Sequence, residues 1–211
     1  MNTTAPTKIK FYGYFRSSCS FRLRWALEYK GLAYEEVKIH LLKGEQNDPS
    51  YIKKNPAGFV PALELDGICY GESLAILEYL EEQFPTPALL PQDSLSRLQV
   101  RQLALSIVAG TQPLQNLQVK RLHSNDTAEQ SRWCTHWITR GLATYEKLLE
   151  QTPPGTYSIG HAITFADLCL VPQCTSALRE GIHLEQFPLL YAVYSRCLTL
   201  PSCQNAFIKE D

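Results

Sequence analysis

Apolar and polar positions change their period several times in the first eighty residues. Lys8 to Tyr14 reads as a short strand, and Cys19 to Lys30 places Leu23, Ala26 and Leu27 on one helical face before Gly31, a residue suited to ending a helix. Tyr34 to Leu42 returns to strand-like composition. The polar stretch KGEQNDPSYIKKNPAGF predicts a loop with one short helix, and VPALEL and ICY flank Asp66-Gly67 as the arms of a hairpin. Ser73 then opens the amphipathic helix LAILEYLEEQF. The predicted order, β-α-β-(α)-β-β-α, joins a parallel crossover to an antiparallel hairpin.

Pro85, Pro87 and Pro91 break any continuing helix, so a domain boundary is expected there, with domains over residues 1–86 and 92–211. From Ser94 onward the pattern is helical. Leu95, Leu98, Leu103, Ile107 and Val108 mark one segment, Trp133, Trp137, Leu142, Tyr145, Leu148 and Leu149 a second, and Leu168 to Leu178 a third. Ile163-Thr164-Phe165-Ala166-Asp167-Leu168 has the spacing of a capping box with a hydrophobic staple, which is a folding device.

Composition narrows the function. The chain has 211 residues, a formal net charge of -1, 45% hydrophobic and 19% charged residues, so no global field draws it to nucleic acid or an anionic membrane. No apolar run approaches a bilayer span and the N-terminus MNTTAPTKIK has no signal-like apolar stretch, so a cytoplasmic protein is expected. The seven cysteines are scattered with no Cys-x-x-Cys, and the five histidines form no ligand-spaced cluster. Neither a disulfide framework nor a metal site is expected.

Three stretches have the makings of a binding site. Arg16-Ser17-Ser18-Cys19-Ser20 follows a strand and opens a helix, where first-turn amides and the positive end of the helix dipole stabilise an anion or a thiolate. Ser17 or Ser18 serves equally as a plain helix cap, and a lone Cys19 as inert packing. Asn55 to Leu63 (NPAGFVPAL) places Val60 before Pro61, in extended geometry, where a cis bond would leave the Val60 backbone groups for a peptide-like ligand. Glu72-Ser73, with Ser73 read as the cap of the next helix, offers an acceptor for an ammonium group and donors for a carboxylate.

These pieces, in this order, resemble the glutathione transferase superfamily, and SSCSFRLR (17–24) resembles the signature of its zeta class. The likeness continues through NPAGFVPAL, SLAILEYLEE (73–82), PLQNL (113–117) and TFADLCLVPQ (164–173). It implies an α/β thioredoxin-like N-terminal domain that binds glutathione and an all-α C-terminal domain that binds substrate. It further implies that Ser17, Ser18 and Cys19 line the glutathione thiol, that Gln46, Val60, Glu72 and Ser73 hold the tripeptide beside a cis Pro61, and that Gln112 and Asn116, on the first long helix of the second domain, help close the site. Arg179 matches a family arginine that faces substrate, with Arg16 and Arg22 as further candidates for a dicarboxylate. For Arg22 and Arg24 the competing reading is a solvated or structurally paired place on a helix surface. Several zeta proteins carry Gln where this chain has Glu72.

The class is known for glutathione-dependent cis–trans isomerisation of maleylacetoacetate to fumarylacetoacetate in tyrosine and phenylalanine catabolism. The resemblance therefore implies an isomerase, with Ser17 donating to the thiol and Cys19 assisting, and a homodimer pairing the N-terminal domain of one subunit with the C-terminal domain of the other. Maleylpyruvate isomerisation, or transferase and dehalogenase chemistry on small α-halo acids, would use the same thiolate. A dithiol oxidoreductase is disfavoured because Arg22 stands where its second cysteine would be; a monothiol reaction at Cys19 and a non-catalytic glutathione-binding protein stay open.

Overall fold

The computed structural model describes residues 9–207. Lys8, expected to begin the first strand, lies outside them. Contacts divide the described residues into two compact units, one of residues 9–88 and 201–207, the other of residues 89–200.

The first unit carries a four-stranded sheet in the order β2-β1-β3-β4, with β1 at Ile9–Gly13, β2 at Tyr34–Lys38, β3 at Ala62–Leu65 and β4 at Ile68–Tyr70. β1 and β2 run parallel, with Phe11 opposite Glu36, and helix α1 (Ser18–Tyr29) connects them. β3 is antiparallel to both β1 and β4. Asp66 (φ 49°) and Gly67 (φ 82°) form a two-residue turn with both φ values positive, as a tight hairpin requires. β2 stops at Lys38, short of the expected Leu42, because His40 accepts the Lys43 amide and turns Leu41–Lys43 into a 3-10 helix.

Helix α1 ends where Gly31 adopts φ 65°, its N–H bonded to the Glu28 carbonyl and that of Leu32 to Leu27. Its middle is buried from Ser20 through Leu27, arginines included. Of the solvated and the structurally paired places open to Arg22 and Arg24, the paired one forms: the two side chains are 0% and 1% exposed. Arg24 makes a bidentate pair with Glu36 of β2 at 2.8 and 2.9 Å and donates to the Ala206 carbonyl at 2.9 Å. Burial is tolerated because those donors are met by a carboxylate and a carbonyl. Ala206 belongs to the last helix, α9 (Pro201–Ala206), which packs on α1. Trp25 donates to Ser202 there and Phe21 meets Phe207 edge-on. Residues 201–206 therefore join the first unit, whereas the expected second domain ran to residue 211.

Two further helices complete this unit, α2 (Pro49–Ile52) and α3 (Ser73–Gln83). The second unit is helical: α4 (Ser94–Val108), α5 (Leu117–His123), α6 (Thr127–Glu150), α7 (Phe165–Arg179) and α8 (Pro188–Cys197). Asp93 and Asp126 cap α4 and α6 by accepting the amides of Ser96 and Ala128. Buried Asp167 accepts the Thr164 amide and hydroxyl on one oxygen and the Ser158 amide on the other. This device fixes the start of α7, the most deeply buried helix of the unit. No helix among the described residues is long and apolar enough to cross a membrane.

Candidate active site

The turn from β1 into α1 is built by three serine and backbone contacts. The Ser17 amide donates to the Tyr14 carbonyl at 3.0 Å, closing a four-residue turn, and the Tyr14 amide donates back to the buried Ser20 Oγ at 3.1 Å. Ser17 has extended backbone (φ -79°, ψ 121°), and its Oγ accepts the Ser20 amide at 3.2 Å. Ser17 is thus the N-cap and Ser18 the first helical residue, which decides between the two serines. Accepting a hydrogen bond leaves the Ser17 hydroxyl proton available to a ligand. A helix offers no carbonyl of its own to its first-turn amides, so this end favours an anion. Ser17, Ser18 and Cys19 are half-exposed at it, and Arg16 is exposed just before it.

The segment before β3 is held from beneath. Asn55 Nδ2 and the Tyr51 hydroxyl donate to the Phe59 carbonyl at 2.8 and 2.6 Å. Burial pushes the Tyr51 phenol up to about 12, which keeps it a neutral donor. Gly58 takes φ 63°, and the Val60-Pro61 bond is cis. Neither the N–H nor the C=O of Val60 has a hydrogen-bond partner among the described residues. Gln46, in the 3-10 helix Glu45–Asn47, is 7% exposed, and its Oε1 is buried without a partner. Buried amides are ordinarily paired, so these groups fit a peptide-like ligand that supplies the missing donors and acceptors.

At α3 the sequence reading needs correction. Glu72, not Ser73, is the N-cap, and it adopts φ 61°, ψ 95°, a conformation disfavoured for a residue with a side chain. Ser73 is buried as the first helical residue and accepts a 2.5 Å bond from Arg22 Nη1. No sequence pattern signalled that link, because it joins residues 51 positions apart. Glu72 itself is exposed.

In the second unit, Gln112 and Asn116 do not lie on the first long helix. That helix, α4, ends at Val108; Gln112 opens a 3-10 helix (Gln112–Gln115) and Asn116 caps α5. Gly110 and Pro113 account for the break. Gln112 is buried and Asn116 exposed. Trp133 Nε1 donates to the Leu114 carbonyl at 2.6 Å, and Gln115 Nε2 to Oε1 of the fully buried Gln173 of α7 at 2.6 Å, so both α6 and α7 fix this turn. Arg179 is the exposed last residue of α7. No group of three or more metal-binding side chains occurs among the described residues.

This arrangement, a thioredoxin-like sheet whose first helix begins at a serine turn, followed by a helical unit, agrees with what the comparisons give. Residues 7–82 match the glutathione S-transferase N-terminal domain and residues 115–209 its C-terminal domain. The chain belongs to the glutathione S-transferase family, within its zeta class. The maleylacetoacetate isomerase of Dictyostelium discoideum is 44% identical over 199 residues, 92% of this chain and 90% of that protein. The holo structure of a bacterial zeta-class maleylpyruvate isomerase superposes with a TM-score of 0.90 at 40% identity, covering 93% of this chain and 95% of that one. The maleylacetoacetate isomerase of Anaeromyxobacter dehalogenans 2CP-1, solved with glutathione in its active site, gives 0.85 at 42% identity over 94% of each chain.

Proposed function

We propose that the chain is a glutathione-dependent cis–trans isomerase that converts maleylacetoacetate to fumarylacetoacetate, the step the class serves in tyrosine and phenylalanine catabolism. The observation that carries the reading is the β1–α1 turn: a capping serine keeps its hydroxyl proton at a helix start that favours anions. Ser17 holds the thiol ionised by donating to it, Ser18 and Cys19 line it, and Gln46, Val60, Glu72 and Ser73 hold the rest of the tripeptide. Bound there, glutathione would supply a nucleophilic thiolate, the group whose reversible addition to an alkene permits cis–trans rotation.

The chain's own contribution is to bind, orient and ionise. A free thiol has a pKa of about 8.5, and lowering it by two units takes about 2.7 kcal/mol, within reach of one hydroxyl hydrogen bond and first-turn amides together. In the second unit, Arg179 is proposed to pair with the carboxylates of the substrate through its planar fork. Arg16 is a weaker candidate for the same task. Gln112 and Asn116 are proposed to contribute polar groups to glutathione binding.

The same chemistry on maleylpyruvate is a second reading, favoured by the structural likeness to a maleylpyruvate isomerase. Transferase or dehalogenase activity on small α-halo acids would be a side reaction. A substrate panel with and without glutathione tests all of these. Glutathione-dependent isomerisation of a maleyl keto acid is expected, and its absence on every member would overturn the proposal. A cytoplasmic site and a homodimer complete the reading. Seven free cysteines fit a reducing compartment, and Leu95, Leu98 and Leu105, 65%, 62% and 46% exposed along α4, fit burial against a second copy. Sedimentation at a monomer's mass would remove the dimer.

A further inference from the structure

We propose that Arg22 is a positioning residue for glutathione that acts through Ser73, and not a substrate-binding arginine. Its side chain is 0% exposed and its Nη1 lies 2.5 Å from Ser73 Oγ, on the first residue of α3. The inference rests on the reading above, in which Glu72 and Ser73 hold part of the tripeptide, and takes the carboxylate of the γ-glutamyl residue as the group received at this helix start.

The argument turns on hydrogen-bond direction. A serine hydroxyl rotates freely and can present either its proton or its lone pairs, whereas a guanidinium has five donors and no acceptor. Contact with Arg22 therefore commits Ser73 to accept from that side. Its single proton is left for another partner, and a carboxylate is the partner that gains most from it. The bond from a cation also polarises the hydroxyl, which strengthens the outgoing bond. The buried guanidinium and the positive end of α3 act in the same direction on an anion. Arg22 thus sets the orientation and donor strength of Ser73, just as the Ser20 amide occupies one lone pair of Ser17 at the start of α1.

Calorimetric titration with two ligands tests this: glutathione, and an analogue whose γ-glutamyl residue is replaced by 4-aminobutanoyl, so that only that carboxylate is missing. The wild-type protein should prefer glutathione. Arg22→Met and Ser73→Ala should each weaken glutathione binding about tenfold or more, the scale of one charge-assisted hydrogen bond, and lose most of the preference over the analogue. The double variant should be little worse than either, because both remove one link. In turnover, the Arg22→Met loss should fall on the glutathione KM and leave the dicarboxylate KM alone. Arg22→Lys, which keeps a charged donor, should restore part of the preference and replaces the methionine variant if that one does not fold. Undiminished preference in the arginine variants, or a loss confined to the dicarboxylate KM, would overturn the inference. A wild-type protein that does not bind glutathione would overturn the proposed function instead, and the inference with it.

Discussion

Ser17 Oγ accepts the Ser20 amide at 3.2 Å, so one side chain both ends the β1 turn and keeps a proton for a ligand. Cap and donor are separable by substitution. Ser17→Ala removes both, and should cost about 1 kcal/mol of stability with on the order of 100-fold in isomerase turnover. Ser17→Asp retains a cap acceptor but offers no proton and repels a thiolate. It should keep the melting temperature and still lose the activity. Thermal melts and initial rates on the same two variants make the check; an active Ser17→Asp enzyme would show that the hydroxyl proton is not used.

Cys19, beside it, is half-exposed in the first turn of α1. If the reacting sulfur belongs to glutathione, Cys19→Ala should retain isomerisation to within about tenfold, a change of about 1.4 kcal/mol in the barrier. Abolished turnover would instead make the cysteine the nucleophile and return the monothiol reading.

On the sheet, Glu64 accepts the Tyr12 hydroxyl at 2.5 Å and Lys54 Nζ at 3.0 Å, and these bonds, that from Tyr12 first, lower its carboxyl from 4.5 to about 2. A depressed acid binds fewer protons folded than unfolded between those values, so stability rises with pH across that window. The margin of wild type over Glu64→Gln should be complete above about pH 4.5 and should shrink as the pH falls toward 2. Urea midpoints across that range measure it. A margin that does not vary with pH would mean that the carboxylate's charge contributes nothing to the fold.

Much of the first unit was legible because its signals are local. A short strand-like run marked β1, the Asp66-Gly67 pair marked the hairpin turn, and Gly31 ended α1. What escaped depends on neighbours distant in sequence. Arg22 and Arg24 sit among apolar residues in the sequence as surface arginines also do; contacts with Ser73, Glu36 and Ala206, all distant along the chain or on another element, help make their burial tolerable. Two adjacent acceptors, Ser17 and Ser18, cannot be ranked as caps without backbone angles. Glu72 was passed over as a cap because its φ of 61° is one that propensity argues against. Helices α8 and α9 went unread, each short and opened by a proline that in sequence reads as a break.

Pro188 illustrates what makes such a helix form. Proline fits the first position of α8 but contributes no N–H, and the amides of Leu189 and Leu190 behind it have no carbonyl within the helix. Glu146 of α6 supplies both acceptors, at 2.8 and 2.9 Å, from a side chain only 7% exposed. The negative charge also faces the positive end of the helix. Glu146→Ala should leave one buried and one part-buried donor unmet and cost about 2–3 kcal/mol, whereas Glu146→Gln, with one oxygen left, should cost about half as much. Hydrogen exchange adds a local readout: the amides of Leu189 and Leu190 should lose protection in the alanine variant before the rest of α8 does. Equal stabilities for the three proteins would mean that solvent satisfies those amides and that α8 holds by its apolar face alone.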